Sequence, residues 1–173
     1  MPSLWWDVLV GLTLFLLVGA SAMFRLYPTW RSLPTLTAAG RTPLTRGPLV
    51  HLFIPVRGRD PYLEGNLRSF LTQAYQPYRI IAVTDSSDDP AGDVIRSLKH
   101  EFPNLTWEVC GPPKDTAGKT HAHLVGISRH PEAEVYAFAD ADGRVSSQWL
   151  GAMLAALEEP GVGASTAYRV YVP

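Results

Sequence analysis

The chain has 173 residues, of which 15 are Lys or Arg and 16 are Asp or Glu, giving a formal net charge of -1. That length holds one modest domain plus a flanking segment, and the balanced charge leaves no basic footprint for a nucleic-acid partner. A single cysteine, Cys110, excludes an intrachain disulfide and a Cys-based metal cluster.

Val8 to Phe24 is an uninterrupted uncharged stretch, preceded by Trp5 and Trp6 and followed by Arg25, Tyr27 and Trp30. With those aromatic flanks, residues 4–24 are expected to form a transmembrane helix. No acid occurs between Asp7 and Asp60, whereas Arg25, Arg31, Arg41 and Arg46 follow the span. The positive-inside rule therefore puts the rest of the chain on the cytoplasmic side of the membrane. Ala20-Ser21-Ala22 has the small-x-small form of a signal cleavage site, but no basic segment precedes it, which favours an anchor. Residues 25–48, rich in Pro, Thr, Gly and Arg, read as a juxtamembrane connector.

From residue 49 to residue 173 the pattern is that of an α/β domain. The run from Val50 to Val56 predicts a buried strand ending in the turn Arg57-Gly58-Arg59. Asp60 and Pro61 then open a helix, with Leu63, Leu67, Phe70, Leu71 and Ala74 as its apolar stripe and Gln76-Pro77 as its end. Arg79 to Val83 is a second buried strand. Asp89-Pro90 repeats the start signal for a helix with Val94, Ile95, Leu98 and Phe102 on one face. A short strand from Leu105 to Val109, a Gly- and Pro-bearing loop, a helix from Lys119 to about Arg129 and a strand ending at Asp140 follow. Ser146 or Ser147 is expected to cap a last helix that buries Trp149, Leu150, Met153, Leu154 and Leu157, and Val162 to Val172 reads as extended. Strands alternating with helices at this spacing predict right-handed βαβ units and a mostly parallel, Rossmann-like sheet.

Two acidic stretches, Thr84 to Pro90 and Asp140 to Gly143, directly follow buried strands. In an open α/β sheet the ligand crevice lies outside the carboxyl ends of the strands, so both should open onto one site. Asp140 and Asp142 are two apart, which in extended backbone points both carboxylates to one side, where they can share a hard divalent cation such as Mg²⁺ or Mn²⁺. Asp85, Asp88 and Asp89 carry acceptors suited to the donor groups of a base or ribose. Asp89 before Pro90 is equally a good helix N-cap, and spacing alone does not choose between Asp85 and Asp89 as ligand. Lys119 follows Gly118 at a helix start, where backbone N–H groups and a cation together favour phosphate. His121 and His123 lie on different helix faces and are not expected to chelate one metal.

Taken together, Phe53 to Gly58, Val83 to Ala91, Gly118-Lys119 and Asp140 to Val145 resemble family 2 glycosyltransferases, and within them the ceramide glucosyltransferase-like branch. Pro55 to Pro61 with its Pro-x-x-Gly-x-Asp-Pro form, the Asp-Asp-Pro-Ala at residues 88–91 and Arg144-Val145 carry the likeness to that branch. The resemblance implies a GT-A fold, a nucleotide-sugar donor such as a UDP-sugar, a divalent metal and a membrane lipid as acceptor. It places the donor nucleotide at Pro55, Asp85 and Asp89, the metal and diphosphate at Asp140 and Asp142, and Lys119 near the diphosphate. Where the family usually has Asp-Asp-Gly-Ser this chain has Asp85-Ser86-Ser87-Asp88, and the usual Asn of the following helix is absent, with His123 and Leu124 there. The family's acceptor-activating Asp and its Gln-x-x-Arg-Trp segment have no counterpart up to Pro173. The expectation is therefore an incomplete GT-A domain, with the catalytic base unnamed and a partner chain as one possible source of the missing half. The alternatives are a non-catalytic nucleotide-sugar-binding membrane subunit, an inactive fragment, and a nucleotidyltransferase-like enzyme, for which Arg57-Gly58-Arg59 is only a faint version of the expected basic Gly-rich loop.

Overall fold

The computed structural model describes residues 3–38, 42–113 and 116–167. They fall into two units, Met1–Gly40 and Arg41–Pro173. The first is one helix, α1 (Ser3–Ala38). Its segment Val8–Tyr27 is long and apolar enough to cross a membrane by length and composition, and none of that segment is buried in protein. The two hydroxyls in the apolar stretch are satisfied within the helix itself: Thr13 Oγ1 donates to the Leu9 carbonyl at 2.8 Å, and Ser21 Oγ to the Val18 carbonyl at 2.8 Å. Such back-bonding satisfies both hydroxyl donors without a partner outside the helix.

The helix continues well past residue 24, so the connector expected over 25–48 is largely regular structure. The helix runs on to Ala38 with Pro28 and Pro34 inside it. The first strand runs over Arg46–Pro55, starting before the expected Val50.

The second unit is a four-stranded parallel sheet in the order β3-β2-β1-β4, from β1 (Arg46–Pro55), β2 (Gln76–Thr84), β3 (Leu105–Val109) and β4 (Val135–Phe138). The crossovers are α2 (Leu63–Leu71), α3 (Ala91–Glu101) and α4 (Gly118–Arg129), and α5 (Trp149–Ala155) follows β4. Side chains of β1 alternate between two cores, as the period-two geometry of a strand demands. Val50, Leu52 and Ile54 pack with Leu67, Phe70, Ile95, Leu98, Leu150 and Leu154 on the face covered by α2, α3 and α5. Phe53 joins Ile81, Val83 and Ala122 on the opposite face, under α4. Strand order reverses direction between β1 and β4, so the topological switch point lies between their carboxyl ends.

Helix α4 lies unusually close to the sheet because Gly126 faces Phe53. A Cβ at that position would stand 2.7 Å from the buried Phe53 ring. This explains the weak apolar periodicity of α4, which docks through Ala122 and a glycine where most helices present larger residues.

Several local expectations are corrected. Helix α2 starts at Leu63 after a turn in which Asp60 accepts the Tyr62 N–H at 2.7 Å, and it stops at Leu71, so Ala74 is exposed beyond its end. The α5 N-cap is Gln148, with no side-chain bond; Ser146 contributes only its carbonyl, which accepts the Trp149 N–H at 3.1 Å. Strand β4 ends at Phe138 because Asp140 to Gly143 turn back, the Gly143 N–H reaching the Asp140 carbonyl at 3.1 Å. Residues 162–167 form no strand, and the remainder of the extended run expected to Val172 lies outside the described residues.

At the amino end of the sheet His51 is fully buried, its Nδ1 3.3 Å from the His130 carbonyl and its Nε2 3.7 Å from Glu132. Burial pushes its pKa below the usual value, a pull that the Glu132 carboxylate opposes without reversing. Nearby, desolvation alone would raise the Glu108 carboxyl, but bonds from Arg129 and His130 hold it below its usual range. An imidazole whose folded pKa is depressed leaves the unfolded chain binding more protons as pH falls below about 6.5, so its contribution is complete above that value and is lost progressively below it. The expected outcome is a fall in urea midpoint between pH 7 and pH 5 that is shallower in His51→Phe than in the parent chain.

Candidate functional site

The carboxyl ends of β1, β2 and β4 and the start of α4 enclose an open cleft of about 420 Å³. Pro55, Val56 and Arg57 line it from β1, Val83 and Asp85 from β2, Gly118, Lys119 and Ala122 from α4, and Asp140, Ala141 and Asp142 from the turn after β4. Thus Pro55, Asp85, Lys119, Asp140 and Asp142, which are spread over 88 positions of sequence, meet at one place. Lys119 Nζ donates to Asp140 Oδ1 across the mouth of the cleft, and both side chains are exposed.

Asp89 is the expected ligand that does not line this cleft. Its Oδ1 accepts the Gly58 N–H at 2.9 Å and the Ala91 N–H at 2.8 Å, so from just before the Pro90 N-cap it satisfies the first N–H of α3 and ties the loop after β1 to the loop after β2. Asp85 lines the cleft, whereas Asp89 ties together the loops after β1 and β2. Asp88 is exposed, with Ser87 Oγ 3.4 Å from its Oδ1. The loop itself hangs on the buried Thr84, whose hydroxyl donates to the Ser86 carbonyl at 2.9 Å and accepts the Trp107 indole N–H at 2.9 Å.

The acidic turn is fixed from the side of α2. Asn66 Nδ2 donates to the Ala141 carbonyl at 3.1 Å, Ser69 Oγ accepts the Val145 N–H at 3.1 Å, and Gln73 bonds both the Ser146 carbonyl and the Leu150 N–H, each at 2.9 Å. Asn66 and Ser69 lie on α2, three residues apart, and Gln73 follows just past its end. Sequence reasoning missed them, although a buried amide or hydroxyl at helical spacing signals a clamp on some other backbone. It also missed Arg57, which the carboxyl-end rule would have placed in the crevice, and Cys110, whose thiol is 3.7 Å from Asp85 Oδ1. Burial pushes the Cys110 thiol pKa up, and the neighbouring Asp85 carboxylate pushes it further, so the sulfur is a neutral neighbour of that acid. His123 packs on Phe138, with ring centroids 4.8 Å apart and its Nε2 buried without a partner. Desolvation lowers its pKa, and Lys119 one turn away lowers it further.

The donor set of the cleft is carboxylate oxygen, which suits a hard cation. Among the described residues no three His, Cys, Asp or Glu form a group able to hold a metal by themselves. The arrangement fits an ion such as Mg²⁺, which is commonly held by one or two carboxylates with the remaining positions filled by substrate phosphate and water.

Residues 11–172 match the family model described as glycosyl transferase family 21. The chain belongs to that family. Ceramide glucosyltransferase 3 of Caenorhabditis elegans is 34% identical over 58 residues, 34% of this chain and 13% of that protein. The processive diacylglycerol beta-glycosyltransferase of Mycoplasma pneumoniae is 24% identical over 99 residues, 57% of this chain and 28% of that protein. Among solved structures, the mannosyltransferase PcManGT of Pyrobaculum calidifontis, in complex with GDP-Man and Mn²⁺, superposes with a TM-score of 0.59 at 23% identity, covering 83% of this chain and 43% of that one. Staphylococcus aureus TarS with UDP-GlcNAc gives a TM-score of 0.51 at 19% identity, over 63% of this chain and 31% of that one. The fold is therefore GT-A-like, as expected from the sequence, and this member of the family spans well under half the length of the relatives it matches.

Separate roles for the two loop acids give a direct test. Asp89→Ala is expected to lower unfolding stability in urea by about 1–2 kcal/mol, the range for a lost helix cap. Asp85→Ala, which removes a side chain facing the cleft, is expected to stay within about 0.5 kcal/mol of the parent.

Proposed function

We propose that this glycosyltransferase chain is the donor-binding portion of a membrane-anchored enzyme that transfers a sugar from a nucleotide-sugar, a UDP-sugar by preference, to a lipid acceptor. The observation that carries the reading is the convergence of Asp85, Lys119, Asp140 and Asp142 at the carboxyl ends of three parallel strands, at the switch point of the sheet.

In this reading Asp85 accepts hydrogen bonds from the base or ribose, with Pro55 and Val83 forming an apolar floor beside it. Asp89 acts on the donor indirectly, by holding the loops on which Arg57 and Asp85 stand. Asp140 and Asp142 would hold a divalent cation, Mn²⁺ or Mg²⁺, which supplies Lewis-acid neutralisation of the diphosphate when bound. Lys119 stands at the amino end of α4, where its ammonium and the backbone N–H groups of the first turn favour the same phosphates. The residue that deprotonates the acceptor hydroxyl is not assigned to any side chain described here.

Membrane attachment rests on α1. Its apolar segment Val8–Tyr27 is long enough for the hydrocarbon core, and the basic residues after it favour a cytoplasmic location for the α/β unit. The glycolipid-forming names among the relatives support a lipid acceptor. A second reading, a membrane subunit that binds a nucleotide-sugar and pairs with another chain, is favoured by one feature. Tyr136 and Phe138 of β4 and Leu124 of α4 are 37%, 47% and 55% exposed, an apolar surface of the kind that a further segment or partner covers.

Titration calorimetry of UDP and UDP-glucose into the detergent-solubilised chain, with and without Mn²⁺, tests the proposal. Metal-dependent binding that disappears in an Asp140→Ala, Asp142→Ala double variant is the expected outcome. A folded sample that binds neither ligand overturns the donor-site reading.

A further inference from the structure

We infer that Lys119 is a resident counter-ion for Asp140, which must be released before the divalent cation is fully held, and that this exchange makes metal and nucleoside diphosphate bind cooperatively. The inference rests on the donor and metal site proposed above and concerns how that site loads.

Three carboxylates, Asp85, Asp140 and Asp142, line one cleft together with two cations, Lys119 and Arg57. In the ligand-free protein the Lys119 ammonium donates to Asp140 Oδ1, one of the two oxygens through which that carboxylate would meet a cation. An ammonium and a divalent ion on one carboxylate repel each other, so metal entering alone must displace Lys119 and leave it without that partner. The absence of a third protein ligand in reach among the described residues makes the cost of that displacement harder to offset. A nucleoside diphosphate changes the balance. Lys119 is the second residue of α4, at the positive end of a twelve-residue helix, and a diphosphate placed there offers the displaced ammonium a new anionic partner. Metal thus antagonises the Lys119–Asp140 pair, diphosphate accepts the freed lysine, and each ligand raises affinity for the other. Reciprocity of the effect follows from linkage.

His123, one turn along α4 from Lys119, strengthens the exchange by staying neutral. Its lowered pKa, set by desolvation and by Lys119, keeps a second positive charge off the same stretch of helix, although Asp140 pulls the other way. Its packing partner on β4 is the apolar Phe138.

The test is Mn²⁺ binding followed by the electron paramagnetic resonance of the free ion, with and without UDP, in the parent chain, Lys119→Met, Lys119→Arg and Asp140→Ala, each checked for folding by circular dichroism. In Lys119→Met, Mn²⁺ alone is expected to bind about two- to fivefold more tightly, the range for loss of an exposed charge pair, while the enhancement of Mn²⁺ affinity by UDP falls. Lys119→Arg, which keeps the charge, is expected to retain the parent's weak metal binding and its enhancement by UDP. Parent and Lys119→Met binding Mn²⁺ with equal affinity and equal enhancement by UDP overturns the exchange while leaving the donor site standing. A parent chain that binds neither Mn²⁺ nor UDP, or in which Asp140→Ala binds both unchanged, overturns the site reading and the exchange with it.

Discussion

The buried ring of Phe53 is the constraint on which the geometry of the cleft depends. It lies in β1, one of the two central strands, is fully buried, and faces α4 at Gly126, where that helix carries no side chain. It also stacks against Phe138 of β4, with centroids 5.9 Å apart, and its carbonyl accepts the Ala139 N–H at 3.2 Å. One residue therefore sets the position of the helix that begins with Lys119 and of the strand that ends before Asp140. Close packing at Gly126 ties α4 and β4 to β1 in one frame, since protein interiors transmit a displacement of even one methylene.

A second frame holds the acids from the other side. Ala139, Ala141 and Val145 pack the turn bearing Asp140 and Asp142 against the main core, and Asn66 and Ser69 of α2 with Gln73 just past its end add directed bonds to its backbone. Gln73 is buried and satisfies its amide at both ends, which makes the contact expensive to break and hence specific. The sheet delivers the acids to the cleft, and α2 decides how they are presented there.

The strands were legible because each is a run of apolar or β-branched residues bounded by turn chemistry, and the carboxyl-end rule then brought Asp85, Lys119, Asp140 and Asp142 to one crevice. Three features were not legible, each for a physical reason. Asp89 had two chemically equal roles, cap and ligand, and only the positions of the Gly58 and Ala91 N–H groups separate them. Asn66, Ser69 and Gln73 act on backbone more than 70 positions away, a distance over which no local pattern reports. The full extent of α1 was hidden by Pro28 and Pro34, since a helix that continues through proline defeats a rule that treats proline as punctuation.

Strand β4 has a further consequence, in the handling of the protein. Among the described residues it pairs on one side only, and its outward aromatic side chains, Tyr136 and Phe138, alternate along four residues beside an unpaired row of backbone donors and acceptors. Such an edge is a template for another strand. Concentrated samples of this chain will be prone to edge-to-edge self-association.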